Sequence, residues 1–161
     1  MIRPATSDDA AAICAIWNPI IRDTLITFNP VEKSPATVAD MLADKAAVDA
    51  PFLVAEADGK LAGFATYGPF RGGDGYRFTV EHTIILDPAA QGQGVGRRLM
   101  DALVERARAA HMHSLIAGCS ATNTHAIAFH RAIGFQQIAR LPQVGHKFDQ
   151  WIDLILLQKM L

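Results

Sequence analysis

Thr79-Val80-Glu81-His82-Thr83-Ile84-Ile85-Leu86-Asp87-Pro88-Ala89-Ala90-Gln91-Gly92-Gln93-Gly94-Val95-Gly96-Arg97-Arg98-Leu99-Met100 is the stretch that decides the fold. Phe78 to Leu86 is β-rich and stops at Asp87-Pro88, which predicts a strand. Leu99, Met100, Leu103, Val104 and Ala107 then recur on one face of a helix. Between strand and helix, three glycines fall within five residues, at 92, 94 and 96. Such a turn opens backbone conformations closed to other residues and brings bare N–H groups close to a ligand. The helix N-terminus adds unpaired donors and a partial positive charge, so the site suits phosphate. Arg97 and Arg98 fall in the first turn, where the helix dipole disfavours cations, and no acidic residue offsets them before Asp101. A bound anion removes that conflict. A dinucleotide fingerprint fails because its third glycine position is Arg97, and a P-loop fails because no lysine follows.

Outward from this turn, Ile2 to Ala5 reads as a short strand and Thr6 as a helix cap. Ile13, Ile16, Trp17 and Ile20 form one helical face, and Pro19 is expected to end or kink that helix. Ser34-Pro35 starts a second helix with Val38, Met41 and Leu42 inward. Phe52–Ala57 and Leu61–Tyr67 flank Asp58-Gly59, a type I′ hairpin signal. Arg71 to Gly75 is a flexible loop. Ser114–Cys119 reads as a buried strand and Asn123–Ile133 as a helix closed by Gly134. Phe135–Leu141 and Phe148–Leu157 are expected as the last two strands. The order predicts an α/β fold on one mixed sheet, with residues 1–161 as a single domain.

Composition narrows the function. Of 161 residues 50% are hydrophobic and 19% charged, which marks a globular chain. Fifteen Lys and Arg against sixteen Asp and Glu give a net charge of -1, so nucleic acid and anionic membrane are not expected partners. No apolar run approaches the roughly 18 residues that span a bilayer. Met1-Ile2-Arg3-Pro4 has no apolar signal core, so a cytoplasmic location is expected. Cys14 and Cys119 form no framework and read as buried hydrophobes, with a nucleophilic Cys119 as the alternative. His111 and His113 form a His-x-His without a third ligand, and His82, His125 and His146 assemble no site, so no metal is expected.

Gln91-Gly92-Gln93-Gly94-Val95-Gly96 resembles the Q/R-x-x-G-x-G/A pyrophosphate loop of the GNAT superfamily of N-acetyltransferases. Asn123, His130 and Ile133-Gly134-Phe135 resemble that family's helix beside the cofactor. Tyr76-Arg77-Phe78-Thr79-Val80-Glu81-His82, the tail Gln143-Val144-Gly145-His146-Lys147-Phe148 with Trp151-Ile152-Asp153, and Trp17-Asn18 with Thr27-Phe28 resemble the phosphinothricin acetyltransferase-like subgroup. The resemblance covers nearly the whole chain. It implies a mostly antiparallel central sheet flanked by about four helices, with a splayed cofactor cleft. It also implies acetyl-CoA as co-substrate, a small amino-acid-like amine as acceptor, and a homodimer.

Acetyl transfer to an amine needs a proton acceptor, because such amines are mostly protonated at neutral pH. Glu81, inside an apolar β-branched run, is the candidate base; the bland alternative is an outward-facing strand residue. The resemblance assigns Ile84, Ile85 and Leu86 to the strand that offers amides to the thioester. It assigns Gln91 to Gly96 and Arg97 to the diphosphate. His130 stands where many relatives carry an acidic tyrosine, so it is either the general acid or a structural and cofactor contact. Asn123 is expected to bond the pantetheine arm, or else only to cap a helix. Arg71, Arg77 and Lys147 are expected to pair with an anionic acceptor, with Tyr76 and Phe28 beside them. Asp149 replaces a common glycine and Ala126 a common serine. The alternatives are transfer to another amine, including a protein N-terminus, or a non-catalytic acyl-CoA-binding module.

Overall fold

The computed structural model describes residues 1–161. Strands β1 (Ile2–Pro4), β2 (Phe52–Ala57), β3 (Lys60–Pro69), β4 (Thr79–Leu86), β5 (Ser114–Ser120), β6 (Gln136–Lys147) and β7 (Gln150–Met160) form one sheet. Helices α1 (Ala10–Asp23), α2 (Pro35–Ala47), α3 (Val95–Ala109) and α4 (Thr124–Ala132) cover it. The strand order is β1-β2-β3-β4-β5-β7-β6, and β4–β5 is the one parallel pair. A parallel pair needs a crossover, and α3 supplies it, burying Leu99, Met100, Leu103, Val104 and Ala107 as their spacing requires.

Each sheet face carries its own core. Residues of α3 pack with Val80, Leu115, Phe135 and Leu157 on one face. Residues of α1 and α2 pack with Phe52, Val54, Phe64 and Ile85 on the other. Since side chains alternate along a strand, Glu81, Thr83 and Ile85 face α1 and α2, whereas His82, Ile84 and Leu86 face α3 and α4. No helix is long and apolar enough to cross a membrane.

Pairing of β4 with β5 runs from Thr79↔Ser114 to His82↔Ala117 and stops there. Both strands continue, to Leu86 and Ser120, so they splay apart and leave a cleft between them.

Three expectations are corrected. Of the two outcomes expected at Pro19, an end or a kink, the end does not occur: α1 runs through it to Asp23. The proline is exposed, while Ile21 two residues further is buried against the sheet and Thr24 Oγ1 caps the Ile20 carbonyl at 2.6 Å. Continued burial thus outweighs one missing helix bond. β6 does not stop at Leu141 but crosses Pro142 to Lys147, because a bulge between Leu141 and Gly145 absorbs the proline. The Asp153 carboxylate accepts the Gln143 N–H there at 2.9 Å. Phe148 lies in the turn before β7, and Phe148 and Asp149 take φ of 50° and 55°. Aspartate tolerates that region, which accounts for Asp149 in a place where glycine is common.

Candidate active site

The splay defines a cleft of about 440 Å³. Its walls come from β4, β5, α4 and the loop after α1.

The β4 edge is built by hydrogen-bond alternation. Phe70 N–H donates to Thr79 C=O at 3.2 Å and Asp87 N–H to Ala62 C=O at 3.0 Å, with unbroken register between them. Odd-numbered residues of β4 therefore bond β3, and even-numbered ones turn their N–H groups toward β5. Beyond His82 there is no β5 partner, so the Ile84 and Leu86 amides open into the cleft. Ile85 lines the cleft as well, but by the same alternation its amide belongs to the β3 ladder, and its side chain is buried in the core under α1.

At the C-terminal end of β4 the glycine turn behaves as its composition demands. Gly92 and Gly94 take φ of 76° and 74°, and Gly94 is the α3 N-cap with no side-chain cap. The first-turn amides of α3 are thus left for a ligand. Arg97 and Arg98 stand exposed beside them, and no acid lies in that turn. Gln93 bonds the Ala89 carbonyl at 2.7 Å and shapes the turn from within. Gln91 lines the cleft. Gly96 serves packing: a β-carbon there would meet Leu86 Cδ1 at 3.1 Å and Phe129 Cζ at 3.4 Å.

Glu81 lines the cleft half-buried, and desolvation alone pushes its pKa up. Its carboxylate lies over Gly118 of β5, where any β-carbon would stand 2.7 Å from Oε1.

The opposite wall is α4. Asn123 Oδ1 accepts the Ala126 N–H at 3.1 Å, so the residue caps α4 while lining the cleft. His130 Nδ1 lies 2.7 Å from the Ala126 carbonyl and its Nε2 3.1 Å from His82 Nε2. Burial pulls His130 down and His82 down to about 3, the latter helped by the His130 charge. Cys119 Sγ is 3.7 Å from His130 Nδ1, and burial raises the thiol to about 11, which suits a packed hydrophobe rather than a nucleophile. His82 was missed as a site residue in the sequence. Its place on β4, one residue past Glu81 and facing the opposite side, was the available signal.

The remaining wall is the loop after α1, bearing Ile26, Thr27 and Phe28. Phe28 packs on Gly145, where a β-carbon would fall 2.5 Å from the ring. Lys147 is only 3% exposed, and its ammonium donates to the Thr24 and Thr27 carbonyls at 2.6 and 2.8 Å. It is therefore a loop anchor and not a free cation for an anionic acceptor. Asn18 holds the far end of the same loop through Lys33, at 2.9 Å to both its carbonyl and its N–H. Arg71, Tyr76 and Arg77 do not line the cleft. They stand exposed on the β3–β4 loop, Arg71 over the Tyr76 ring at 5.6 Å and Arg77 over Phe78 at 4.6 Å.

The cleft thus combines a splayed parallel strand pair, a glycine-headed helix with no side-chain cap and one carboxylate without a partner. The chain belongs to the acetyltransferase (GNAT) family, whose pattern matches residues 18–135. It is 36% identical over 160 residues to the L-methionine sulfoximine/L-methionine sulfone acetyltransferase of Salmonella typhimurium, covering 99% of this chain and 94% of that protein. Among solved structures, the Ribosomal-protein-alanine N-acetyltransferase from Brucella melitensis superposes with a TM-score of 0.97 at 40% identity, covering 100% and 99% of the two chains. A GNAT superfamily phosphinothricin acetyltransferase from Sinorhizobium meliloti, in complex with AcCoA, gives a TM-score of 0.94 at 30% identity, covering 100% and 88%.

Proposed function

We propose that residues 1–161 act as one domain that moves the acetyl group of acetyl-CoA onto the amine of a small amino-acid-like acceptor. The acceptor class is that of methionine sulfoximine, methionine sulfone and phosphinothricin, the substrates in the names of its relatives. The observation that carries the reading is Glu81. It is a half-buried carboxylate at the splay, with no partner to offset its desolvation. A pure binding module has no use for such a group.

The cleft fits the coenzyme. The amides at Gly94–Gly96, flanked by Arg97 and Arg98, suit a diphosphate, and the Leu86 amide suits an extended amide-bearing arm. Bound acetyl-CoA supplies the activated acyl group as a thioester. As the amine nitrogen bonds the acyl carbon and the C–S bond breaks, Glu81 accepts one proton of the incoming ammonium, directly or through water, the Ile84 N–H suits the negative charge that develops on the acyl oxygen, and coenzyme A departs as a thiolate that takes up the nitrogen's second proton, directly or through water. The raised Cys119 pKa favours direct attack by the amine over an acetylated cysteine. Phe28 shapes the acceptor side.

A second copy of the chain is the proposed partner. Val144, Phe148 and Trp151 stand 50–66% exposed around the β6–β7 hairpin. Sedimentation at micromolar concentration checks this, and a monomer would remove the proposal.

The test of function is thiol release from acetyl-CoA across a panel of amines, with Glu81→Gln in parallel. The panel holds methionine sulfone, phosphinothricin and a peptide beginning with alanine. Turnover of the amino acids that collapses in the variant is the expected result. Preference for the peptide would move the acceptor to a protein N-terminus. Tight coenzyme binding without turnover of any amine would leave a binding module.

A further inference from the structure

The mechanism above leaves two buried imidazoles in contact at the cleft wall. The Ala126 carbonyl can only accept, so His130 Nδ1, 2.7 Å away, carries the proton. In the neutral ring Nε2 is then a lone pair. It lies 3.1 Å from His82 Nε2, which must donate. His82 Nδ1 is left without a hydrogen and without any partner, as a buried orphan atom. The two rings are stacked at 5.0 Å and walled in by Phe135, which meets both edge-on, and by Phe129 against His130. The titratable group beside them is Cys119 from β5; Glu81 faces the other side of β4.

We propose that His82 is a positioning residue for acetyl transfer: its Nε2–H holds His130 as the neutral Nδ1–H tautomer, so that His130 presents no free acidic proton to the cleft and instead fixes the α4 wall. The inference rests on the acetyl-transfer reading and decides between the two roles open to His130. With Nδ1–H committed to Ala126 and the Nε2 lone pair covered by His82, the ring is a strut between β4 and α4. The α4 segment so held carries Asn123, Ala126 and Phe129, which line the cleft.

Nitrogen-detected NMR of the imidazoles in the parent protein is the primary test. At neutral pH the expected signature is Nδ1–H for His130 and Nε2–H for His82. A charged ring or the reverse tautomers would overturn the proposal. His82→Leu keeps an apolar core but removes the donor, and His82→Gln keeps an N–H at similar reach. Without the donor, the neutral form of His130 loses its support, so His130 titrates at higher pH in His82→Leu and returns toward the parent value in His82→Gln. The acetylation kcat is expected to fall about tenfold in the leucine variant, the scale of one buried hydrogen bond, with acetyl-CoA affinity within about twofold. Unchanged His130 titration in His82→Leu would sink the idea even if stability drops. If the leucine variant does not fold, the parent spectrum and the glutamine variant still decide. If the parent acetylates no amine, the acetyl-transfer reading fails while the tautomer assignment is judged separately by its spectrum.

Discussion

The Oε1 atom of Glu81 lies 2.7 Å from the point that a β-carbon on Gly118 would occupy. The glycine belongs to β5 and the carboxylate to β4, so the space the carboxylate occupies is carved from the neighbouring strand. Gly118→Ala is expected to push the carboxylate aside without unfolding the protein, since the crowded atom ends a flexible side chain. The predicted outcome is a drop of about tenfold or more in kcat, with acetyl-CoA affinity kept, read by steady-state kinetics and calorimetry.

Replacing the proposed base separates activity from stability. Glu81→Gln should lower kcat by roughly 10²–10⁴. The folded pKa of Glu81 is raised by burial, so its stabilising contribution is present below the ordinary carboxylate value and lost as pH rises through the folded value. At neutral pH the charged group therefore works against folding. The glutamine variant should melt at a higher temperature than the parent at pH 7 and match it at pH 4. In kinetics, the parent rate should rise with pH along a limb above the usual carboxylate range, and this limb should vanish in the variant.

Lys147 offers a different separation. Lys147→Met leaves the Thr24 and Thr27 carbonyls without their donor, at a cost of about 1–3 kcal/mol in stability by denaturant titration. The loop bearing Phe28 loosens. KM for the acceptor should rise several-fold while affinity for acetyl-CoA stays close to the parent value.

The glycine turn is the proposed seat of the other substrate. Gly94→Ala forces a side chain into φ of 74° at the α3 N-cap, costing about 1 kcal/mol. Acetyl-CoA Kd measured by calorimetry should rise about tenfold, and the affinity of dephosphorylated pantetheine analogues should change less.

Cys119 should be chemically quiet. With its thiol held up to about 11 and its side chain in the core, Cys119→Ala is expected to retain most activity. Intact-protein mass spectrometry after mixing with acetyl-CoA alone should find no acetylated enzyme.

What was legible in the sequence follows local signals. Ser34-Pro35 capped α2 because a hydroxyl acceptor and a preset φ act within one turn. Asp58-Gly59 turned β2 into β3 for the same reason. The left-handed backbone at Gly92 and Gly94 and the position of Glu81 inside β4 were readable, because glycine spacing and a β-branched run act locally. Ile84 and Ile85 were not distinguishable, because their difference is one of hydrogen-bond parity in a ladder with β3. Lys147 was misread for a related reason: its distant partners, Thr24 and Thr27, are backbone carbonyls that leave no trace in side-chain type. His82 and His130 lie 48 residues apart, and only the packing of α4 against β4 makes them neighbours.

The parting of β4 and β5 gives the cleft one fixed jaw and one exchangeable jaw. The donor side is made of strand edge and helix terminus, which cannot vary without rebuilding the sheet. The proposed acceptor side is a loop between α1 and α2 pinned at two points, by Asn18 and Lys147. On the proposed function, rewriting the residues between those pins is the route by which the cleft would take a different amine with the acyl donor unchanged.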